Sequence, residues 1–358
     1  MRGLRFHWHC LRSSETCMHV AITADPMLPV PPRLYGGIER IVDMLVRGLI
    51  DRGHDVTLFA HEDSEVPCRR VPYGGTDAQS VVDTVRNTLT ISRLAFRRPD
   101  VIHSFGRLAY LTPLLPLRTP KIMSYQRGPT PSRIRTAMTL AREGSLVFTG
   151  CSDHIVEEIR PYALARTVYN GVPLDTYTFQ DTVPDDAPIV FLGRIAPIKG
   201  THTAVKVARR TGHRLAIAGN VPDDQRSFFR GQIEPHLDGE QIRYVGPVDD
   251  EEKNDLLGRA AAFLMPIEWE EPFGIVMAEA MACGTPVIGT RRGAVPEVVS
   301  DGLTGFVGDT TDDLVAAVER IDELDRAATR TRCEKLFSDR AVVDGYESLY
   351  EEMVDGEW

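Results

Sequence analysis

Short apolar runs alternate with longer amphipathic segments along most of the chain. Ten runs rich in Val, Ile, Leu and Phe have the length and composition of β-strands. They are MHVAIT (18–23), DVTLFA (55–60), VIH (101–103), KIMSY (121–125), LVFTG (146–150), PIVFLG (188–193), HRLAIA (213–218), IRYV (242–245), AFLM (262–265) and PVIG (286–289). Helical segments of about ten or more residues separate them, so the pattern predicts βαβ units, parallel sheets and an α/β fold.

The clearest helical pattern begins at Ile38 and ends near Arg52. Its apolar residues recur at the i, i+3, i+4 and i+7 positions of one helix face. They are Ile38, Ile41, Val42, Leu45, Val46, Leu49 and Ile50. Gly53 follows at the position of a left-handed C-cap. A second amphipathic pattern, DRAVVDGYESLYEEMV, predicts a C-terminal helix.

Length and composition divide the chain into two domains. A chain of 358 residues exceeds one ordinary hydrophobic core. The segment 170–188, NGVPLDTYTFQDTVPDDAP, changes to Pro, Asp and turn residues, which is typical of a domain boundary. We therefore expect a disordered extension or start-site artefact at residues 1–17, domains at 18–175 and 176–338, and a final helix at 339–358 that crosses back to the first domain.

Charge and cysteine content narrow the classes of function. The net charge is −10, but it is unevenly distributed, since residues 1–175 carry +5 and residues 176–358 carry −15. The basic half predicts either contact with an anionic membrane surface or acceptor, or ordinary solvated charge. Six cysteines without a CxxC pair indicate neither a zinc site nor a disulfide framework. No apolar run reaches the roughly 20 residues of a membrane span, and we expect a cytoplasmic protein.

The segment EPFGIVMAEAMACGTP places two carboxylates, Glu271 and Glu279, around a predicted helix start. Backbone N–H groups at a helix start lack intrahelical partners and favour an anion such as a phosphate. The acids would repel that phosphate but can accept hydrogen bonds from neutral diols on either side of it. The alternative is that Glu279 is an exposed helix residue without a ligand.

Two glycine-containing loops also suggest phosphate binding. LGRIAPIKG (192–200) follows a strand, and its Arg194 and Lys199 can present two cations to one anion, which stabilises a departing diphosphate without a metal. PRLYGGIER (32–40) precedes the long helix, where Gly36 and Gly37 allow a ligand to approach the backbone. Surface cations and a simple turn are the respective alternatives.

Together these motifs resemble those of the retaining GT-B glycosyltransferases of family GT4, also called glycosyl transferases group 1. The resemblance rests on LGRIAPIKG, the Glu271-x7-Glu279 pair, YNGVPLDTYTF and YGGIERIVDMLVRGLIDRGHDVTLFA, and it extends from about Met18 to the C-terminal helix. It implies two Rossmann-like domains with parallel sheets that face each other across a cleft. The N-terminal domain would bind the acceptor and the C-terminal domain a nucleotide-sugar.

The resemblance also implies roles for individual residues. Arg194 and Lys199 match the pair that grips the donor diphosphate, and Glu271 matches the glutamate beside the transferred sugar. Glu279 matches the glutamate that binds ribose. The remaining donor contacts match Gly37, Phe273, Gly274, Ile275 and Val276. Transfer would retain the anomeric configuration and need neither a cofactor nor a metal, and no Asp-x-Asp is placed to bridge a phosphate through Mg²⁺.

One departure concerns the acceptor side. Many relatives end the strand matched by KIMSY with a histidine over the transferred sugar, whereas this chain places Gln126 or Arg127 there. Glutamine can bond a sugar hydroxyl but cannot accept its proton, so a general base at this position is not expected. His103, at another strand end, matches either an acceptor-side histidine or a buried structural one.

The predicted function is transfer of a sugar, with UDP-sugar as the favoured donor, to a glycan, lipid-linked or small-molecule acceptor. The alternatives are a sugar-nucleotide epimerase, a pyridoxal-phosphate-dependent phosphorylase or a non-catalytic nucleotide-sugar-binding subunit. Peripheral contact at the inner face of the membrane is a further option, and no nucleic-acid partner is expected.

Overall fold

The computed structural model describes residues 17–32, 36–77 and 79–356. The extension predicted for residues 1–17 lies outside this part of the chain except for Cys17, which is exposed. The chain divides into two compact units. Of the described residues, the first contains those within 17–124, 130–148 and 345–356, and the second contains 125–129 and 149–344.

The first sheet contains seven strands in the order β3-β2-β1-β4-β5-β6-β7. Their bounds are β1 His19–Thr23, β2 Asp55–Ala60, β3 Arg69–Pro72, β4 Val101–Ser104, β5 Lys121–Tyr125, β6 Leu146–Gly150 and β7 Ala165–Thr167. The pairs from β3 to β5 are parallel, with Ile22 of β1 between Leu58 of β2 and His103 of β4. This is the strand order of a Rossmann-like sheet.

The second sheet repeats that order with six strands, β10-β9-β8-β11-β12-β13, and all of its pairs are parallel. Its strands are β8 Ile189–Leu192, β9 Leu215–Ala218, β10 Ile242–Gly246, β11 Ala262–Met265, β12 Val287–Thr290 and β13 Gly305–Gly308. The direction of strand addition reverses between β8 and β11, and ligands of such sheets bind beyond the carboxyl ends of the strands at this reversal.

Helices connect the strands of both sheets. In the described part of the chain they are α1 Gly37–Asp51, α2 Val81–Ser92, α3 Leu94–Arg97, α4 Leu108–Leu111, α5 Pro131–Leu140, α6 Asp153–Ile159, α7 Thr201–Thr211, α8 Arg226–Gln232, α9 Asp250–Gly258, α10 Ile275–Ala282, α11 Val295–Val298, α12 Thr311–Val318, α13 Arg326–Leu336 and α14 Asp339–Asp355. None of these helices is both long and apolar enough to cross a membrane.

The predicted α/β architecture with two Rossmann-like halves is confirmed. All ten predicted strands are present, with ends within two residues of the predicted ones. The long amphipathic helix is α1, whose inward residues are buried, and Gly53 beyond it has a φ of 88°. Three strands were not predicted, because β3 (RRVP) carries two arginines and a proline, β7 has three residues, and β13 (GFVG) begins and ends with glycine.

A buried histidine connects the end of α14 to the first sheet. His103 on β4 is fully buried, and its Nδ1 lies 2.6 Å from the Tyr350 hydroxyl. Its Nε2 lies 2.6 Å from Ser124 Oγ on β5. Tyr346 of α14 packs on the imidazole, with ring centroids 4.6 Å apart. Since a neutral imidazole has one donor and one acceptor, both of its nitrogens are satisfied.

We predict that this histidine makes the stability of the protein depend on pH. Burial lowers the pKa of His103 from 6.5 to about 3, so the folded protein keeps the ring neutral while the unfolded chain binds a proton below about pH 6.5. The free energy of unfolding should therefore fall as the pH drops from 6.5 towards 3, by up to about 1.4 kcal/mol per pH unit from this group.

The variant His103→Gln keeps a donor and an acceptor but has no proton to bind. Urea unfolding between pH 7 and pH 5 should give a shallower pH dependence for this variant than for the wild type, by about one proton. His61→Gln is the matched control in the same unit, since His61 is only half-buried. Equal slopes for the wild type and His103→Gln would contradict the prediction.

Candidate functional site

The two charged motifs meet because of where their strands lie. LGRIAPIKG leaves the carboxyl end of β8, and the loop that contains Glu271 leaves the carboxyl end of β11. These strands are neighbours at the reversal point of the second sheet. The carboxyl ends of parallel strands lie at one edge of a sheet, so Lys199 and Glu271, which are distant in sequence, come into contact.

Lys199 and Glu271 form a partly buried ion pair. Lys199 Nζ donates to Glu271 Oε2 at 2.6 Å. The Trp269 indole N–H donates to the same oxygen at 3.1 Å, and its ring lies 4.7 Å from Lys199 Nζ. Glu271 itself is 8% exposed. One oxygen of the carboxylate is therefore held by two protein donors, and no described residue donates to the other.

Glu279, about one turn into α10, also has one oxygen that accepts from a lysine and from a neutral donor. Its Oε1 accepts from Lys253 Nζ at 2.6 Å and from the Tyr177 hydroxyl at 2.8 Å. Lys253 also pairs with Asp250 at 3.0 Å. Glu279 is only 7% exposed, so the alternative of an exposed helix residue is wrong. Its second oxygen, like that of Glu271, receives no hydrogen bond from the described residues.

The start of α10 lies between the two acids in sequence. Gly274 is its N-cap in the left-handed conformation, with φ 77°, and no side chain caps the helix. The amides of Ile275 and Val276 therefore belong to the unpaired first turn. Phe273 is 2% exposed and packs on Phe337 with ring centroids 5.6 Å apart, so its side chain belongs to the core of the second unit.

A close backbone contact fixes the loop of Lys199 against the loop that follows β11. Gly200 has a φ of 72°, and a Cβ atom there would lie 1.7 Å from the carbonyl oxygen of Pro266. The Glu268 amide also donates to the Ile198 carbonyl at 2.8 Å. Only glycine fits at position 200, because any side chain would separate the two loops.

A second glycine, Gly293, lies against the backbone of Glu271. The Ala294 amide donates to the Glu271 carbonyl at 2.8 Å, and the Gly293 amide donates to Glu270 Oε2 at 2.6 Å. A Cβ atom on Gly293 would lie 2.2 Å from the Glu271 carbonyl oxygen. The loop after β12 thus contacts the backbone of the loop after β11, and this contact limits the positions that Glu271 can adopt.

The arrangement of cations differs from the prediction. We expected Arg194 and Lys199 to face one anion together, with the acids apart from them. Instead Lys199 is paired with Glu271, while Arg194 is exposed and forms no hydrogen bond or ion pair with the described residues. An entering anion would therefore meet one unpaired cation and one that it must share with a carboxylate.

The other predicted residues lie elsewhere in the units. Gly37 is the first residue of α1. Gln126 is half-buried, its Oε1 accepts from Asn170 Nδ2 at 2.7 Å, and its buried Nε2 has no partner among the described residues. Arg127 is exposed. His103 has no exposed surface, which favours the structural alternative over an acceptor contact.

Sequence reasoning missed three residues of this site, namely Lys253, Tyr177 and Trp269. Tyr177 lies within the segment YNGVPLDTYTF, but the sequence pattern does not distinguish it from the neighbouring residues. The sequence could have indicated Lys253, because it is one of only five lysines in the chain. It also lies in the acidic segment DDEEKND, in a half of the chain where surface positions are more often acidic. In the described residues no group of three or more His, Cys, Asp or Glu side chains is placed to hold a metal ion.

Comparison with known proteins agrees with this geometry. The family described as glycosyl transferases group 1 matches residues 177–335, and the one described as glycosyltransferase family 4 matches residues 35–176. Glycogen synthase of Mycobacterium tuberculosis is 28% identical, over 84% of this chain and 86% of that enzyme.

Solved structures share the fold. A glycosyltransferase involved in avilamycin A biosynthesis superposes with a TM-score of 0.71 at 24% identity, over 95% of this chain and 98% of that one. HepE from Anabaena, in complex with UDP-glucose, superposes with a TM-score of 0.70 at 16% identity, over 93% of this chain and 100% of that one. The structures share the GT-B fold, and the two matched families together cover residues 35–335, so the chain is a glycosyltransferase of family 4.

Proposed function

We propose that the protein transfers a sugar from a nucleoside-diphosphate sugar, with UDP as the favoured nucleotide, to an acceptor hydroxyl with retention of configuration and without a metal. The observation that carries this proposal is the pair of carboxylates at α10. Each is held on one oxygen by protein donors, and each has a second oxygen that no described residue uses.

The free oxygens are suited to neutral hydroxyl groups. Glu279 would accept from a ribose hydroxyl of the donor and Glu271 from a hydroxyl of the transferred sugar. Only one oxygen of Glu279 is available for this bond, because Tyr177 and Lys253 already occupy the other. The lysines also balance the charge of the acids, which reduces their repulsion of a diphosphate.

In the reaction, the bond between the anomeric carbon and the diphosphate oxygen breaks, and the nucleoside diphosphate leaves with the electron pair. The acceptor oxygen bonds to the anomeric carbon on the same face, and its proton passes to the departing phosphate oxygen. Lys199, Arg194 and the first amides of α10 would stabilise the charge that develops on the diphosphate. Lys199 would move from Glu271 towards the phosphate or contact both.

The choice of UDP rests on the family resemblance, and fold neighbours are known both with UDP-glucose and with ADP. The acceptor is a glycan, a lipid-linked sugar or a small molecule, and contact with an anionic surface would involve the basic first half of the chain. Thermal shift with UDP-, GDP- and ADP-glucose would identify the base, since binding raises the melting temperature by mass action. A changed sugar released without acceptor would instead indicate an epimerase.

We predict that Lys199→Met lowers the rate of nucleoside-diphosphate release from the donor by about 10²- to 10³-fold, because a fixed cation is lost where charge develops. Release can be followed in steady state with the donor identified by thermal shift. Lys206→Met is the matched control, since Lys206 is exposed on α7 of the same unit. An unchanged rate in Lys199→Met would refute a role for this lysine in leaving-group stabilisation.

We further predict that Lys253→Met weakens donor binding through Glu279. The variant leaves the Tyr177 hydroxyl as the only donor to Glu279 Oε1 among the described residues, so the carboxylate is no longer fixed for its own hydrogen bond to the ribose. A hydrogen bond to a charged group contributes about 1.5 to 3 kcal/mol, so its loss should raise the Kd at least about tenfold. Calorimetric titration should give the same factor for UDP and for UDP-sugar, because both contain the ribose. Lys335→Met, an exposed lysine of α13, is the control. Unaltered affinity would exclude a role for Lys253 in positioning Glu279 for the ribose.

A further inference from the structure

The helix α2 carries apolar side chains on two opposite faces. Its inward face packs in the first unit through Ile91, which is fully buried, and Asn87, which bonds the backbone of Gly75. Its outward face is also apolar. The exposed residues there are Val81 (77%), Val82 (59%), Val85 (53%) and Leu89 (62%).

These four outward residues form one stripe. At about 100° per residue, positions 81, 82, 85 and 89 fall within an arc of about 100°, roughly opposite Ile91. Phe96 on the adjoining helix α3 is 90% exposed and extends the apolar surface beyond the end of α2. We call these five residues the α2 face. Packing within the first unit does not account for them, because their side chains point away from its core.

Arginines border the α2 face. Between Asp83 and Asp100 the chain contains four arginines and no acidic residue. Arg86 is paired weakly with Asp83 at 3.5 Å. The other three are Arg93, Arg97 and Arg98, whose side chains are exposed and form no hydrogen bond or ion pair with the described residues. On the helical projection Arg86 and Arg93 lie along one side of the apolar stripe.

A helix with an exposed apolar stripe bordered by exposed arginines has the composition of a helix that lies in a membrane interface. Aliphatic and aromatic side chains enter the acyl region, while the arginines contact lipid phosphates. A second copy of this chain is a poorer partner, because a twofold contact through the α2 face would bring the arginines of the two copies close together. We propose that the α2 face binds an anionic lipid bilayer.

The basic first half of the chain predicts contact with an anionic surface, and the α2 face supplies the residues for that contact. The proposal does not depend on the donor site. Its residues belong to the first unit, whereas Lys199, Glu271 and Glu279 belong to the second. Binding to vesicles and binding of a nucleotide can therefore succeed or fail separately, and each can be measured on the full chain.

The test is co-sedimentation of the full chain with vesicles of phosphatidylcholine, with and without about one third phosphatidylglycerol. The apolar variant combines Val85→Ser, Leu89→Gln and Phe96→Ser. The charge variant combines Arg93→Gln and Arg97→Gln, and it leaves Arg98 because that residue has a φ of 47°. The control combines Leu164→Gln and Leu303→Gln, two leucines of the second unit that are 64% and 52% exposed.

We expect the wild type and the control to bind the anionic vesicles equally, and both α2 variants to bind at least about tenfold more weakly. Added salt should weaken binding of the wild type, and the charge variant should respond less. Melting temperatures and nucleotide-induced thermal shifts should be unchanged in every variant, since the substituted side chains are exposed. A retained nucleotide shift separates loss of the surface contact from loss of the donor site.

Three results would overturn the proposal. The wild type could fail to sediment with anionic vesicles. The two α2 variants could bind them as well as the control does. Sedimentation velocity without lipid could reveal a dimer that only the apolar variant dissociates, which would assign the α2 face to contact between copies of the chain.

Discussion

The candidate site depends on two loops that approach each other at the reversal point of the second sheet. The Lys199 loop leaves β8, the Glu271 loop leaves β11, and the carbonyl of Pro266 lies where a side chain on Gly200 would be. This contact brings a lysine and a glutamate from distant parts of the chain within 2.6 Å. Without glycine at position 200 the loops would separate, and the ion pair would lose its geometry.

Each of the two glutamates of the site is paired with a lysine. Glu271 and Glu279 are almost fully buried, and isolated buried carboxylates are unfavourable. A lysine and a neutral donor, Trp269 or Tyr177, hold one oxygen of each acid. Two acids can therefore lie beside the unpaired first turn of α10, while each keeps one oxygen that no described residue uses. In each glutamate, one oxygen accepts hydrogen bonds from the protein, and the other has no donor among the described residues.

The first unit contains a different combination of polar and apolar groups. His103 is buried between β4, β5 and α14, where its two nitrogens join the sheet to the last helix. At the surface of the same unit, α2 has three valines and a leucine that are more than half exposed. One polar side chain is thus hidden and several apolar ones are exposed. Function in this unit is better sought at the exposed apolar surface than at the strand-end histidine.

The sequence by itself determined the fold class and most of the elements, because hydrophobic periodicity is local. It also suggested Arg194, Lys199, Glu271 and Glu279 as site residues, because their motifs at this separation resemble those of one family. It could not predict β3, β7 and β13, whose few residues form strands only beside a neighbouring strand. Nor could it decide the partners. Lys253 and Tyr177 reach Glu279, Lys199 pairs with Glu271, and His103 is buried, because long-range packing brings together residues that have no local pattern in common.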